Sequence, residues 1–369
     1  MKGVMLKKYM NPFNKFLIYS EEKMIHLKKL LLVLLIIGMA GVEVFGGGQN
    51  RAGTSGAPEL RIPVGARYLS MAGSSISYVK GLESIYWNPA GVDLATSDAN
   101  AIFSHRSYIA DMSMNFVAAS GRLGDIGSVG LSFRSLNIGD INVTTMDQPD
   151  GTGQIISPSY FVLGLTYSKQ ITDRISVGAN FNLISENIDR VSASTFAFDF
   201  GVQYRDLFAL SGFNLGVVVK NLGAPIKFDG NAMYVNAEDP NAQRGPTFLK
   251  IDAASAELPS EIAIGLSYHR NFDNDNSLTV STTFQNNNYA YDDYKFGLEY
   301  SYRNLLYLRA GYLWAPQSTD NTPNIFQNYT VGVGLNLAEF SGLDLSVDYA
   351  YVPVKYFDAN HVFALSFGF

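Results

Sequence analysis

From Ala101 to the last residue, Phe369, the chain keeps a period of two. The ending shows it: Phe363, Leu365, Phe367 and Phe369 alternate with Ala364, Ser366 and Gly368. In an extended strand successive side chains point to opposite faces, so each such segment has one apolar face and one small or polar face. A helix would space its apolar residues three and four apart. The same alternation runs through Phe161-Leu163-Leu165-Tyr167, through Phe196-Phe198-Phe200-Val202-Tyr204 and through Leu343-Leu345-Val347-Tyr349-Tyr351. It also sets Met112, Met114 and Phe116 apart from Ser113 and Asn115, which assigns those three to the apolar face.

Counted along the chain, the rhythm predicts fourteen strands: 99–107, 111–122, 126–136, 159–170, 174–186, 195–205, 212–222, 258–269, 277–286, 292–303, 305–315, 326–337, 343–353 and 360–369. The apolar faces can meet a second sheet or lipid. Length separates the two: these strands are mostly of the roughly ten residues that a tilted strand needs to cross a bilayer, whereas sandwich strands run nearer five or six. The connections agree. Even-numbered ones such as 123–125, 171–173 and 303–304 are short, and odd-numbered ones such as 137–158, 223–257 and 316–325 are long. Short periplasmic turns against longer external loops give that parity, with 108–110 as the exception. Tyrosine at strand ends (Tyr300, Tyr302, Tyr307, Tyr312, Tyr349, Tyr351) suits an interfacial girdle. The fold expected is all-β, a 14-stranded antiparallel transmembrane β-barrel. Its apolar faces are expected to meet outer-membrane lipid.

The N-terminus predicts export. Lys28 and Lys29 precede an apolar run from Leu30 to Ala40, followed by small residues to Gly48. That is a signal peptide's layout, and the run is short of the roughly 20 apolar residues of a membrane-spanning helix. Residues 1–46 are read as a cleaved leader, with Met24 a candidate true start. The leader holds seven lysines and three glutamates, so its removal takes the formal charge from −6 to −10. An acidic exported chain lacks the cationic surface that binds nucleic acid. With no cysteine it has no disulfide, no thiolate metal site and no lipid anchor on cysteine.

Residues 47–98 break the strand rhythm. They are small and glycine-rich up to an aromatic turn, Tyr86-Trp87-Asn88-Pro89-Ala90-Gly91. A barrel of fourteen strands leaves a lumen that wall side chains do not fill. Residues 47–98 are therefore expected as a lumenal plug, with 99–369 forming the barrel. Asn88-Pro89 favours a turn and Gly91 a close backbone approach. Charges on the small or polar side of strands (Arg134, Asp199, Glu299, Arg309, Asp344 and Asp348) are expected to face the lumen and hold the plug by ion pairs, because charge at mid-bilayer is costly.

Chemistry is sparse. His105, His269 and His361 have no metal-ligand spacing, and no nucleophile elbow, phosphate loop or zinc motif occurs, so neither catalysis nor a cofactor is expected. The 223–257 loop, with Asp229-Gly230-Asn231 and Asp239-Pro240-Asn241, lacks the ligand period of a calcium loop and reads as polar surface.

Asn88-Pro89-Ala90-Gly91 after Tyr86-Trp87 resembles the plug motif of FadL-type outer-membrane barrels. Together with Ile62-Pro63-Val64-Gly65-Ala66-Arg67 and Phe103-Ser104-His105 it resembles the PorV/PorQ family of type IX secretion. Phe363, Leu365, Phe367 and Phe369 resemble the terminal signal read by the barrel-insertion machinery. The resemblance implies an outer-membrane protein of a Gram-negative bacterium. Its implied partners are type IX translocon components and the C-terminal signal domains of exported cargo, met by loops 137–158 and 223–257. The alternative it leaves open is FadL-like passive transport of long-chain fatty acids or another hydrophobic small molecule. Phe228, Met233, Tyr234, Val235, Phe248 and Leu249 would serve either reading.

Overall fold

The structure, a computed structural model, describes residues 51–237, 247–318, 325–326, 328–338 and 344–369. The leader, Met24 and Asp239-Pro240-Asn241 lie outside the described residues. Fourteen strands close into one antiparallel barrel. They are β1 Ala99–Ser107, β2 Ser113–Arg122, β3 Ser128–Asn137, β4 Ser159–Gln170, β5 Ile175–Ile188, β6 Val191–Tyr204 and β7 Phe213–Gly223, followed by β8 Glu261–Asn271, β9 Asn276–Asn287, β10 Asp293–Tyr302, β11 Leu306–Trp314, β12 Tyr329–Asn336, β13 Asp344–Val352 and β14 Asn360–Gly368. Each pairs with its sequence neighbours, and the seam is β1 on β14, with Phe103 opposite Leu365. Closure removes every sheet edge, which a membrane demands because lipid offers backbone groups no partners.

The apolar rows face outward along most of the wall. Leu163, Leu165, Phe196, Phe200, Ile262, Leu298, Leu308 and Val331 are all exposed, while Thr166, Asn180, Asp199 and Ser281 opposite them are buried. On β2 the orientation is reversed. Met114 and Phe116, expected on the lipid side, are 3% and 1% exposed and point inward, and Val117 takes the outer face. The reason lies inside: β1, β2, β13 and β14 surround the apolar part of the plug, so their inner rows are apolar as well.

Short turns join β2 to β3, β4 to β5, β8 to β9 and β10 to β11, at the end that also holds Ala99 and Gly368. By the loop-length rule that end is periplasmic and the other external. One expected loop is missing: β5 continues to Ile188 and β6 starts at Val191, leaving a two-residue turn with Asp189 at φ 54°. The extended tip of β6 is braced by an extra short strand, Phe228–Gly230, from the β7–β8 connection.

Candidate functional site

Residues 57–94 form short turns within the barrel. They comprise 3-10 segments Pro58–Arg61, Leu69–Met71 and Pro89–Leu94 and one helical turn, α1, Ser84–Trp87. Asn88 marks the tightest junction with the wall. Its extended backbone (φ −162°) ends α1, and its Oδ1 caps the next turn by accepting from Ala90 N at 3.2 Å. The Nδ2 group donates to Ile76 O (2.8 Å) within the plug and to Val202 O (3.2 Å) on β6. One buried amide thereby satisfies two carbonyls that water cannot reach.

Side chains of β4, β5, β6 and β12 supply further hydrogen bonds to plug backbone. Asn180 Nδ2 donates to Ile85 O (2.6 Å), Gln203 Nε2 to Val79 O (2.8 Å), Ser168 Oγ to Ala90 O (3.1 Å) and Thr330 Oγ1 to Ser70 O (2.9 Å). Such close approach requires the wall to lack side chains. Glycines on β5, β6, β7, β10 and β11 meet this need: a Cβ at Gly178 would overlap Pro89, at Gly201 Asn88, at Gly216 Ile76, at Gly297 Ser74 and at Gly311 Met71. Register puts Gly178 opposite Gly201 and Gly297 opposite Gly311, so these glycines form a belt around the plug.

Three of the charges expected in the lumen meet at one place. Arg67 of the plug holds Glu299 in a two-point fork, Nη2 to Oε1 at 3.0 Å and Nε to Oε2 at 3.1 Å. Arg309 bridges Glu299 (2.6 Å) and Asp348 (2.5 Å). Asp199 instead accepts from Asn182 Nδ2 (2.8 Å) and the backbone N–H of Asn221 (2.8 Å), at a bulge between β6 and β7. Arg134 lies over the Tyr86 ring at 5.3 Å, with the Lys220 ammonium also over that ring, at 3.9 Å. Asp344 stands apart and accepts from Thr96 and Ser97. Tyr86 and Trp87 meet edge to face at 5.0 Å, and Pro89, Ala90 and Gly91 are buried beside them. Of the terminal row, Phe363 and Phe369 are exposed on the outer side, and Leu365 and Phe367 are half-buried.

Two carboxyls in the plug are held away from water. Burial raises Glu83 to about 7, aided by Asp348, although the N–H groups of Tyr68 and Arg67 donate to it and pull the other way. Glu59 is pushed above the ordinary carboxylate range by burial and by the facing Glu186 of β5. Sequence reasoning missed Arg67, Glu59 and Glu186 as partners. Nothing in a strand pattern says which wall residue a plug residue will reach.

Two larger cavities border the plug among the described residues. The periplasmic one, about 430 Å³, is bordered by Lys80, Glu83, Arg309 and Asp344. The external one, about 170 Å³, lies between the plug residues Arg61, Leu69 and Trp87 and the upper ends of β1, β7, β8, β10 and β11.

This architecture has known counterparts. A TodX deltaS2S3 mutant monoaromatic hydrocarbon channel is similar at 16% identity and a TM-score of 0.54, over 83% of this chain and 99% of that one. The CymD monoaromatic hydrocarbon channel gives 13% and 0.54, over 82% and 96%. A Pseudomonas aeruginosa FadL homologue gives 12% and 0.50, over 83% and 98%. At these identities the likeness is one of fold, and it defines the class: a β-barrel of FadL-like architecture. No curated protein matches the chain. The family described as "Type IX secretion system protein PorV" matches residues 46–251, more than half of the chain, from the plug through β7 and into the following loop. The chain belongs to the PorV family.

Proposed function

We propose that this protein acts in type IX protein secretion, receiving exported proteins at the external face of the outer membrane through their C-terminal signal domains. The observation that carries the reading is the family match, which spans both the plug and the first half of the barrel. Two features of the molecule support it. The lumen is filled by a plug hydrogen-bonded on several sides, so cargo has to be handled outside the barrel. The external connections carry apolar side chains in the open: Phe248 is 73% exposed, with Leu249, Tyr234 and Val235 on the same hairpin and Met146 on another loop. Exposed apolar groups on polar loops are the usual mark of a protein-binding surface.

In this reading residues 1–46 are the cleaved leader, 47–98 the plug and 99–369 the barrel. The lumenal charges hold the plug, and the terminal aromatic row addresses the chain to the barrel-insertion machinery. The test is a strain lacking this gene and its paralogues. Cargo bearing type IX signal domains should accumulate in the periplasm, and normal secretion and anchoring in that strain would sink the proposal. The second reading, passive transport of hydrophobic compounds, is favoured by the fold alone. It predicts faster uptake of long-chain fatty acids by liposomes holding the protein than by empty ones.

A further inference from the structure

The external cavity is lined by more hydrogen-bond donors than the described residues satisfy. Four cations border it, Arg61, Arg106, Lys220 and Lys295, against two carboxylates, Glu261 and Asp293. Lys220 is paired with Glu261 at 2.9 Å. Lys295 is bonded to the neutral Gln285 side chain. Arg106 is 2% exposed, and its Nη1 donates to the Pro63 carbonyl at 3.1 Å. Its Nε is buried with no acceptor, and no carboxylate lies within ion-pair distance of it among the described residues. No hydrogen bond or ion pair reaches the Arg61 side chain among the described residues. Trp87 adds a buried indole N–H, also without an acceptor.

Buried donors in folded proteins are almost always satisfied, so two orphans in the lining of one cavity call for an acceptor supplied from outside. The remaining wall is apolar: Leu69, Ile76, Val218, Leu313 and Phe326. The volume bounds the ligand, since a cavity of about 150 Å³ admits one benzene ring. A long acyl chain would not fit, and a bare hydrocarbon would leave the Arg106 and Trp87 donors unmet.

We propose that the external cavity binds a carboxylate carried on a small apolar body of about one ring. The ligand is either a free organic acid or the C-terminal residue of a peptide. The guanidinium groups of Arg106 and Arg61 and the Trp87 N–H face the carboxylate, and Leu69 and Phe326 face the apolar part. The site is independent of the secretion reading, because it follows from donors and volume alone.

Calorimetric titration of the purified barrel in lipid nanodiscs tests it, with phenylacetate, phenylacetamide, toluene, palmitate, and acetyl-glycyl-phenylalanine as acid and as amide. At least one of the two small acids should bind ten-fold or more tighter than its amide and than toluene or palmitate. Arg106→Met should lower that affinity at least ten-fold and Arg61→Gln several-fold, while Lys169→Gln on the periplasmic side leaves it unchanged. Tighter binding of the peptide acid assigns the cavity to chain ends, and tighter binding of phenylacetate assigns it to free acids. Heat-modifiable gel migration checks that each variant is a closed barrel. If Arg106→Met does not fold, Arg61→Gln, which breaks no hydrogen bond or ion pair among the described residues, carries the comparison. Equal affinity for acid and amide, no binding of any probe at millimolar concentration, or wild-type affinity in the arginine variants would overturn the proposal.

Discussion

Gly201 is defined by what sits where its side chain would be: the amide oxygen of Asn88. Gly201→Ala forces either the capping turn or β6 to move, and overpacking of this kind costs about 1–3 kcal/mol. The plug should then become sensitive to protease in otherwise intact barrels, which mass spectrometry of limited digests would reveal. Asn88 itself was legible as a turn residue, since Asn-Pro predicts a turn from sequence. Its second role, donating to Val202 on the wall, was not, because the partner is 114 positions away. Glu83 gives a pH dependence of known sign. Its pKa is raised in the fold to about 7, so the seated plug favours the neutral carboxyl. Stability conferred by that proton is complete below the ordinary carboxylate range and is lost as pH rises through about 7. The melting temperature of the plug-protected state should therefore fall between pH 5 and 8. Glu83→Gln should flatten the slope, at a constant cost for the backbone N–H that loses its acceptor.

Among the elements, strand existence and number were readable because lipid on one side and a small-residue lumen on the other impose a clean period of two. Facing was readable wherever only the outer row is apolar. It failed at β2, where Met114 and Phe116 meet the apolar plug and the outer row mixes Ser113 and Asn115 with Val117. Two substitutions test the corrected facing. Val117→Arg should cost up to about 2–4 kcal/mol in a bilayer if it lies near the midplane. Phe116→Ala should cost about 3–5 kcal/mol through lost packing against the plug. Denaturant titration in vesicles measures both, and a negligible cost for Phe116→Ala would return that residue to the lipid side. The β5–β6 tip was misjudged for a different reason. A strand paired by a distant loop, Phe228–Gly230, extends beyond the membrane's own requirement, and no local pattern announces that pairing.

For the molecule as a whole, the plug is the element expected to set conductance. Fourteen strands without a filling would enclose an aqueous path. Here Arg67, bound to Glu299 and through it to Arg309 and Asp348, ties the plug to the wall at the edge of the periplasmic cavity. A barrel with residues 57–94 deleted should show steady ionic current in planar bilayers, and the intact protein should show little. Equal currents would mean that the plug does not seal. Glu299→Gln should leave Arg309 and Arg67 competing for too few acceptors and produce intermittent openings. The barrel was foreseeable from sequence by its period, and a filling was expected where that period is absent. How they lock together was not, because that depends on which glycines of the wall come level with which turns of the plug.

That belt of glycines has a consequence for the order of events in the cell. A wall bare enough to touch plug backbone leaves no clearance through which the plug could be threaded once β1 has met β14. The barrel must close around it. The plug precedes every strand in the chain, so on the proposed export route it would leave the inner membrane first and wait for the last strand to arrive. During that interval Tyr86, Trp87 and their neighbours, buried in the finished protein, are uncovered. On that route the demand this chain would place on periplasmic chaperones is set by its plug, and lasts until the fourteenth strand arrives.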